Sequence, residues 1–335
     1  MKIHYFGSEA WEEGYIRTKL TGAEIVFHEG TLGAFPDLAD PDAEGLCIFI
    51  DSPIGEPELA RFPKLKLIAT RSTGYDHIDL AAAKARGISV ATVPFYGENT
   101  VAEFTFALLL ALSRRIIDAD ERVREDGIFS PAGLRGFDLA GKTIGVVGTG
   151  HIGAHVIRMA KGFNMKVVGF DAFPNAELAH TLDFPYLSLE ELLATSDIVT
   201  IHVPYNEHTH HLINAKNISS FKKGSYLINT ARGAVVETAA LVEALKSGIV
   251  AGAGLDVLEE ENGLADEAVF LSTKPEDEKV RTVVADHYLI DHPRVIVTPH
   301  AAFNTMEAIQ RILDTTTENI LSFEKGVPSN IVTIP

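Results

Sequence analysis

Short aliphatic and β-branched runs alternate with helical patterns along the whole chain, in two series, and this alternation is the strongest constraint on the fold. The first series is KIHYF (2–6), AEIVFH (23–28), LCIFI (46–50), LKLIAT (65–70) and ISVAT (88–92). The second is KTIGVVG (142–148), MKVVGFD (165–171), DIVTIHV (197–203), SYLINT (225–230), IVAGAGLDV (249–257) and RVIVTPH (294–300). Strands separated by helices predict parallel sheets, because a parallel neighbour is reached only through a crossover. SEAWEEGYIRTKL (8–20) and DLAAAKARG (79–87) read as two such crossover helices, the second with Asp79 as its N-cap.

Two longer helical patterns lie outside this rhythm. Residues 99–125 contain no Gly or Pro and predict one long helix; residues 304–326 predict another, with Gly326 at its end. A terminal helix with no sheet of its own must pack on something already built. No Pro/Ser-rich linker or repeat separates the two series. The expected class is therefore α/β with two doubly wound domains, and a chain of 335 residues is long enough for both. Residues 99–301 would form one domain, inserted into a second made of residues 1–98 plus 302–335.

Charge and composition exclude several functions. The 29 Lys and Arg against 46 Asp and Glu give a net charge of −17. Such a balance carries no electrostatic footprint for nucleic acid or an anionic membrane, although a local basic site for a small anion remains open. Cys47 is the sole cysteine, so no intramolecular disulfide forms, and its place in GLCIFI predicts a buried, inert thiol. The start, MKIHYFGSEA, has no long apolar region or small-residue cleavage site. FTFALLLAL (104–112) is too short for a bilayer core of about 30 Å and runs into Arg114 and Arg115. The expected compartment is the cytoplasm, with no membrane partner.

The stretch GKTIGVVGTGHIG (141–153) explains what the inserted domain is for. Gly148, Gly150 and Gly153 follow an apolar strand and precede the helical pattern HIGAHVIRMAKGF. The first glycine permits a tight turn, the second lets a pyrophosphate approach the backbone, and the third lets helix and strand pack closely. Asp171 ends the next strand, 18 residues past Gly153, where an acid accepts the ribose hydroxyls of NAD and repels the 2′-phosphate of NADP. AFPNAELAH, which follows, offers no Lys or Arg to compensate. NAD is the expected cofactor, bound by a Rossmann-type domain.

Three later strands end in chemistry-bearing residues: SYLINTARG in Arg232, GLDVLEEE in Asp256 and then Glu259, Glu260 and Glu261, and RVIVTPHAAF in His300. Doubly wound sheets bind ligands beyond the carboxyl ends of their strands. An Arg, a carboxylate and a His delivered there suit the reduction of a 2-oxo acid. The guanidinium holds the substrate carboxylate and polarises its carbonyl. A protonated His donates to the carbonyl oxygen, and the acid beside it orients the ring and favours the imidazolium. Taken singly, Arg232 reads as a surface ion pair, Glu261 as a solvated loop acid and His300 as a strand cap. Their common placement favours the catalytic reading.

At this point the chain resembles the D-2-hydroxyacid dehydrogenase family, and within it most closely the D-lactate dehydrogenase branch. The resemblance runs through RSTGYDHIDL (71–80), VPFYGENTVAEF (93–104), GVVGTGHIG (145–153), HVPYNEHTHHLIN (202–214), LINTARGAVVE (227–237), GLDVLEEE (254–261) and VTPHAAF (297–303). It implies a Rossmann-type NAD domain nested in a flavodoxin-like substrate domain, with a cleft between them, and a small-molecule 2-oxo or 2-hydroxy acid as substrate. It implies Arg232, Glu261 and His300 as catalytic residues, with Glu261 taken from the three acids because it stands five residues after Asp256. Backbone amides around Thr73 and Gly74 would meet the substrate carboxylate, Tyr96 would line the pocket and Phe303 would face the C3 side. His151, Ile152, Asp171, Val203, Pro204, Thr209, Thr230, Ala231 and Asp256 would contact the cofactor with the three glycines. Relatives are usually homodimers through the NAD domain, with the 99–125 helix in the interface. The 42 residues from Asp256 to Thr298 match the lactate branch. Tyr96-Gly97-Glu98, where the branch has Tyr-Ser-Pro, and Phe104, where a His is common, depart from it and bear on substrate size.

The cluster His208, His210 and His211 invites a metal reading. No Cys or second ligand cluster accompanies it, so solvated loop histidines are the expectation and no metal is assigned. The resemblance implies reduction of a small 2-oxo acid, pyruvate, to the D-2-hydroxy acid, with two alternatives: the same reaction on a branched or aromatic 2-oxo acid, and an NADH-sensing binding protein akin to corepressors related to this family.

Overall fold

A computed structural model of the chain describes residues 1–261 and 277–333. It resolves into two compact units, Met1–Tyr96 with Thr305–Pro335, and Gly97–Asn304.

The first unit is built on β1 (Lys2–Phe6), β2 (Glu24–His28), β3 (Gly45–Ile48), β4 (Leu67–Thr70) and β5 (Ser89–Ala91), all parallel in the order β2-β1-β3-β4-β5. This is the flavodoxin-like order, with helices on both faces. Side chains alternate accordingly. Ile3, Tyr5, Cys47, Leu67 and Ala69 pack on one side against Ile16 of the helix Ala10–Lys19 and against Leu313 and Ile320 of the terminal helix Met306–Glu324. Phe6, Leu46, Ile48, Ile68 and Val90 pack on the other against Leu59 and Ala83. Cys47 is fully buried, and burial pushes its thiol up to about 12. Asp79 caps the helix Leu80–Ala85 by accepting from the Ala82 amide at 2.9 Å.

The second unit holds β6 (Thr143–Val147), β7 (Lys166–Phe170), β8 (Ile198–Ile201), β9 (Ser225–Asn229), β10 (Val250–Leu255) and β11 (Val295–Val297), parallel in the order β11-β10-β9-β8-β6-β7. The switch point lies between β6 and β8, whose ends are tied where the His202 amide donates to Val147 O at 2.7 Å. Beyond β7 a single parallel bridge, Gly169 to Tyr186, stands where a Rossmann sheet has a further strand. The fold is thus two parallel-sheet α/β units, the second of Rossmann type. Among the described residues no helix is long and apolar enough to cross a membrane.

The expectation of one helix over 99–125 is corrected. The helix Glu98–Arg114 ends at Arg115, which is left-handed at φ 50°, and a second helix spans Ile116–Arg124. The carbonyl of Ser113, which a continuous helix would have used four residues on, instead accepts from the Phe137 amide at 2.9 Å. The returning chain comes so close that a Cβ on Gly136 would stand 2.0 Å from Ser113 O. Arg115 secures the corner through Asp118 at 2.7 Å and the Gly133 carbonyl at 2.6 Å. Gly136→Ala should therefore lower stability by about 2 kcal/mol, a fall in Tm of roughly 4–8 °C for a unit of this size, read by thermal denaturation. An unchanged Tm would mean that this approach does not set the corner.

Candidate active site

The turn after β6 is shaped by contact distances. Gly148 has φ 90°, and a Cβ there would meet His202 O at 2.6 Å; a Cβ on Gly153 would meet Gly148 O at 2.1 Å. Gly150 has nothing within 4 Å of its Cβ position and precedes the helix His151–Gly162, so the helix N-terminus faces cleared space. That cradle fits a pyrophosphate. His151 and Ile152 form the helix's first turn. Asp171, at the end of β7, accepts from the Thr149 amide at 2.7 Å and its hydroxyl at 3.0 Å, and from the Phe173 amide at 2.9 Å. The Tyr186 hydroxyl lies 2.7 Å from Thr149 Oγ1. It donates to that oxygen, since the one hydroxyl hydrogen of Thr149 goes to Asp171. These residues fit the diphosphate and a ribose of NAD.

Val203 and Pro204 follow β8, with Val203 packed beside Gly148. Thr209 closes the next turn, its hydroxyl donating to Pro204 O at 2.6 Å and accepting from the Asn206 amide at 2.8 Å. Thr230 is buried, 3.0 Å from Thr105 Oγ1. His202 is half-buried with Nε2 at 2.8 Å from Thr200 Oγ1, and desolvation of its ring depresses it to about 3, so the ring is neutral.

Arg232 stands in the turn after β9. Asn229 builds that turn: its side chain donates to Arg232 O at 2.9 Å and accepts from the Ala231 amide at 3.0 Å. Arg232 Nη1 donates to Ala231 O at 2.9 Å. A Cβ on neighbouring Gly233 would meet the Leu258 carbonyl carbon at 2.0 Å, so the Arg232 turn and the Leu258–Glu261 turn lie backbone to backbone.

Three consecutive acids take three different partners. Glu261 Oε2 is 2.9 Å from His300 Nδ1, and its Oε1 accepts from the Leu258 amide at 3.1 Å. Glu259 pairs with His211 Nε2 at 2.6 Å and accepts from the Thr238 amide and hydroxyl at 3.1 and 2.9 Å. Glu260 offers its backbone amide to Asp286 at 3.1 Å. His300 is left-handed at φ 51°. Its turn is held by Asp256, whose carboxylate accepts from Thr298 Oγ1 at 2.5 Å and from the amides of Ala301 and Ala302 at 2.9 and 2.8 Å. Burial raises the Asp256 carboxyl against those donors. Phe303 follows in the same turn region.

In the first unit, Thr73 and Gly74 lie in the loop after β4. The Thr73 hydroxyl donates to Val93 O at 2.8 Å, and Ser72 Oγ donates to Gly74 O at 2.6 Å. Beneath them Arg71 is buried, donating to Phe6 O and Gly7 O at 2.8 and 2.9 Å. The Tyr96 carbonyl accepts from Arg311 Nε at 2.6 Å.

The histidine loop departs from the solvated set expected at His211. His208 and His210 are exposed, whereas His211, on which His210 stacks at 3.9 Å, is half-buried against Glu259. Among the described residues no group of three His, Cys, Asp or Glu is arranged to hold a metal ion. Sequence reasoning missed Thr149, Thr238, Thr298 and Asp286. The first and third lie inside the quoted motifs GVVGTGHIG and VTPHAAF, whereas nothing in the spacing signals Thr238 or Asp286.

The geometry can hold a substrate carboxylate, a cofactor diphosphate and a proton on one histidine. Residues 106–302 match the family model for the NAD-binding domain of D-isomer specific 2-hydroxyacid dehydrogenases. The chain is 37% identical over 295 residues to a glyoxylate reductase of Korarchaeum cryptofilum, covering 87% of this chain and 83% of the relative. It is 40% identical over 271 residues to an aromatic 2-oxoacid reductase of Clostridium sporogenes, covering 79% and 78%. Its structure is similar to that of D-lactate dehydrogenase from Aquifex aeolicus complexed with NAD and lactic acid, with TM-score 0.88, 34% identity and 99% of each chain covered. The chain belongs to the D-isomer specific 2-hydroxyacid dehydrogenase family and is an NAD-dependent 2-hydroxyacid dehydrogenase.

Proposed function

We propose that the enzyme reduces pyruvate to D-lactate and catalyses the reverse oxidation, with His300 as acid and base, Glu261 as its partner and Arg232 as the anchor of the substrate carboxylate. The observation that carries this reading is the 2.9 Å contact between His300 Nδ1 and Glu261 Oε2. When bound, NADH supplies a hydride to C2 of the 2-oxo acid. Because Nδ1 is engaged by Glu261, Nε2 is the atom that delivers the proton to the carbonyl oxygen and recovers it in the oxidative direction. Arg232 draws the carboxylate and the carbonyl into its fork of donors, which favours the charge that develops on oxygen. The family resemblance supports backbone amides of Thr73 and Gly74 as carboxylate donors, and Tyr96 and Phe303 as residues that bear on what extends from C3. Gly148, Gly150, His151, Ile152 and Gly153 receive the diphosphate and Asp171 the ribose. Val203, Pro204, Thr209, Thr230, Ala231 and Asp256 form the remaining cofactor wall.

A larger substrate is the second reading, favoured by the identity to the aromatic 2-oxoacid reductase and by Gly97-Glu98 after Tyr96. We also propose a homodimer through the second unit. Ile116, Ile117, Val123, Ile128 and Phe129 are exposed on one short segment, Phe129 at 94%, which suits a face covered by a second copy.

Purified enzyme, NADH and a panel of 2-oxo acids from glyoxylate through pyruvate to phenylpyruvate test the substrate, with the product's handedness assayed. Fastest turnover on pyruvate with a D product is expected; a preference for phenylpyruvate would move the substrate and keep the mechanism. His300→Gln should lower kcat by about 10²–10⁴-fold while NADH affinity stays within about threefold; unchanged turnover would remove His300 from the mechanism. Asp171→Gly should weaken kcat/KM for NADH by about tenfold to a hundredfold and narrow the gap to NADPH. A wild-type enzyme that already prefers NADPH would refute this assignment of the ribose site.

A further inference from the structure

Glu261 meets His300 only while the turn that carries it stays in place, and that turn rests on the helix Asp277–Ile290. The contact is Asp286, a fully buried acid whose Oδ2 accepts from the Glu260 amide at 3.1 Å. Its Oδ1 lies 3.2 Å from Thr238 Oγ1, and the same hydroxyl lies 2.9 Å from Glu259 Oε2. Glu259 in turn pairs with His211 at 2.6 Å.

The hydrogens in this chain can be counted. A threonine hydroxyl carries one hydrogen, yet here it stands between two carboxylate oxygens. With both acids ionised it satisfies only one and turns a lone pair toward the other, in a place that water does not reach. One added proton removes the conflict. Asp286 then donates from Oδ1 to Thr238 Oγ1, Thr238 donates to Glu259, and Oδ2 remains to accept from Glu260.

We propose that Asp286 is a positioning residue for the dehydrogenase reaction: in its protonated form it holds the Leu258–Glu261 turn that brings Glu261 to His300, and on ionisation it loosens that hold. This rests on the catalytic reading above. The charged groups around it are consistent. Glu259 and Glu260 face Asp286 and disfavour a second negative charge; Lys279 acts on Glu260 and His211 on Glu259, and neither contacts Asp286. Burial, with the two acids, pushes Asp286 from 3.8 to about 6.

An acid whose pKa is raised on folding supports the fold while protonated, so the wild-type enzyme loses relative stability as pH rises from about 4 to about 6, then levels off. Asp286→Asn mimics the protonated acid, because its amide donates to Thr238 and its oxygen accepts from Glu260. The Tm of D286N minus that of wild type should rise through this window by a few degrees. Below about pH 6 the variant's kcat should stay within about threefold of wild type, with the decline of wild-type kcat across pH 6 removed. Thr238→Val, which deletes the bridge, should lower kcat by about tenfold with NADH affinity unchanged. A D286N that is less stable by the same amount at every pH, or that has lost turnover at every pH, would overturn the proposal. The Tm comparison needs no turnover, so wild-type enzyme inactive on every 2-oxo acid would sink the catalytic reading while this arm still decides the proton on Asp286.

Discussion

The Asp256 carboxylate is the point from which the carboxyl end of the second unit's sheet is hung. It sits just past the end of β10, 1% exposed, and binds Thr298, Ala301 and Ala302 at once. Its backbone extends the same role: Asp256 O accepts from the His300 amide at 2.8 Å, and Asp256 N donates to Asn229 O at 2.9 Å. One residue thus joins the exits of β9, β10 and β11. A left-handed backbone at a non-glycine residue is disfavoured by about 1–2 kcal/mol, and His300 adopts it only because the residues around it are held. The burial of Asp256 is itself unfavourable, which its three donors only partly offset. Desolvation and backbone strain therefore meet at the residue pair that aims the imidazole.

The three acids after Leu258 show how neighbouring residues of one type take separate duties. Glu259 and Glu261 each pair with a histidine, and Glu260 contributes its amide. The difference comes from what each meets: the start of the helix Thr238–Ser247, the helix Asp277–Ile290, and the turn after β11. Gly233 lets the Arg232 turn press directly on the peptide between Leu258 and Glu259. Arginine and acid are thereby held on abutting backbones, which limits how far either can drift.

Much of this architecture was legible in the chain. Every strand expected from an apolar run is present, because buried parallel strands are written as continuous hydrophobic segments bounded by turns. The fingerprint glycines were legible because their spacing serves contacts local in sequence. The pairing of Glu261 with His300 was suggested only by family resemblance, since the two are 39 residues apart and spacing alone left three acids equivalent. The corner at Arg115 was hidden for a related reason. It is caused by Gly136 and Phe137 claiming Ser113 O, and nothing in a helical pattern reports a competitor more than twenty residues away. Thr238 and Asp286 were invisible because a threonine at a helix start and an acid within a helix read like any surface residue until their neighbours are known.

The lone bridge at Tyr186 has a consequence for how the molecule behaves in company. A parallel sheet that stopped at β7 would leave a row of unpaired amides and carbonyls, an open template on which another chain can add a strand. Tyr186 and Leu187 cover Gly169, with the Gly169 amide donating to Pro185 O at 2.9 Å and the Leu187 amide returning to Gly169 O at 2.9 Å. The Tyr186 hydroxyl fastens this cover to Thr149, which in turn donates to the Asp171 carboxylate. At Gly169 the β7 edge is thus covered by a few residues, which shortens the stretch left open to another strand.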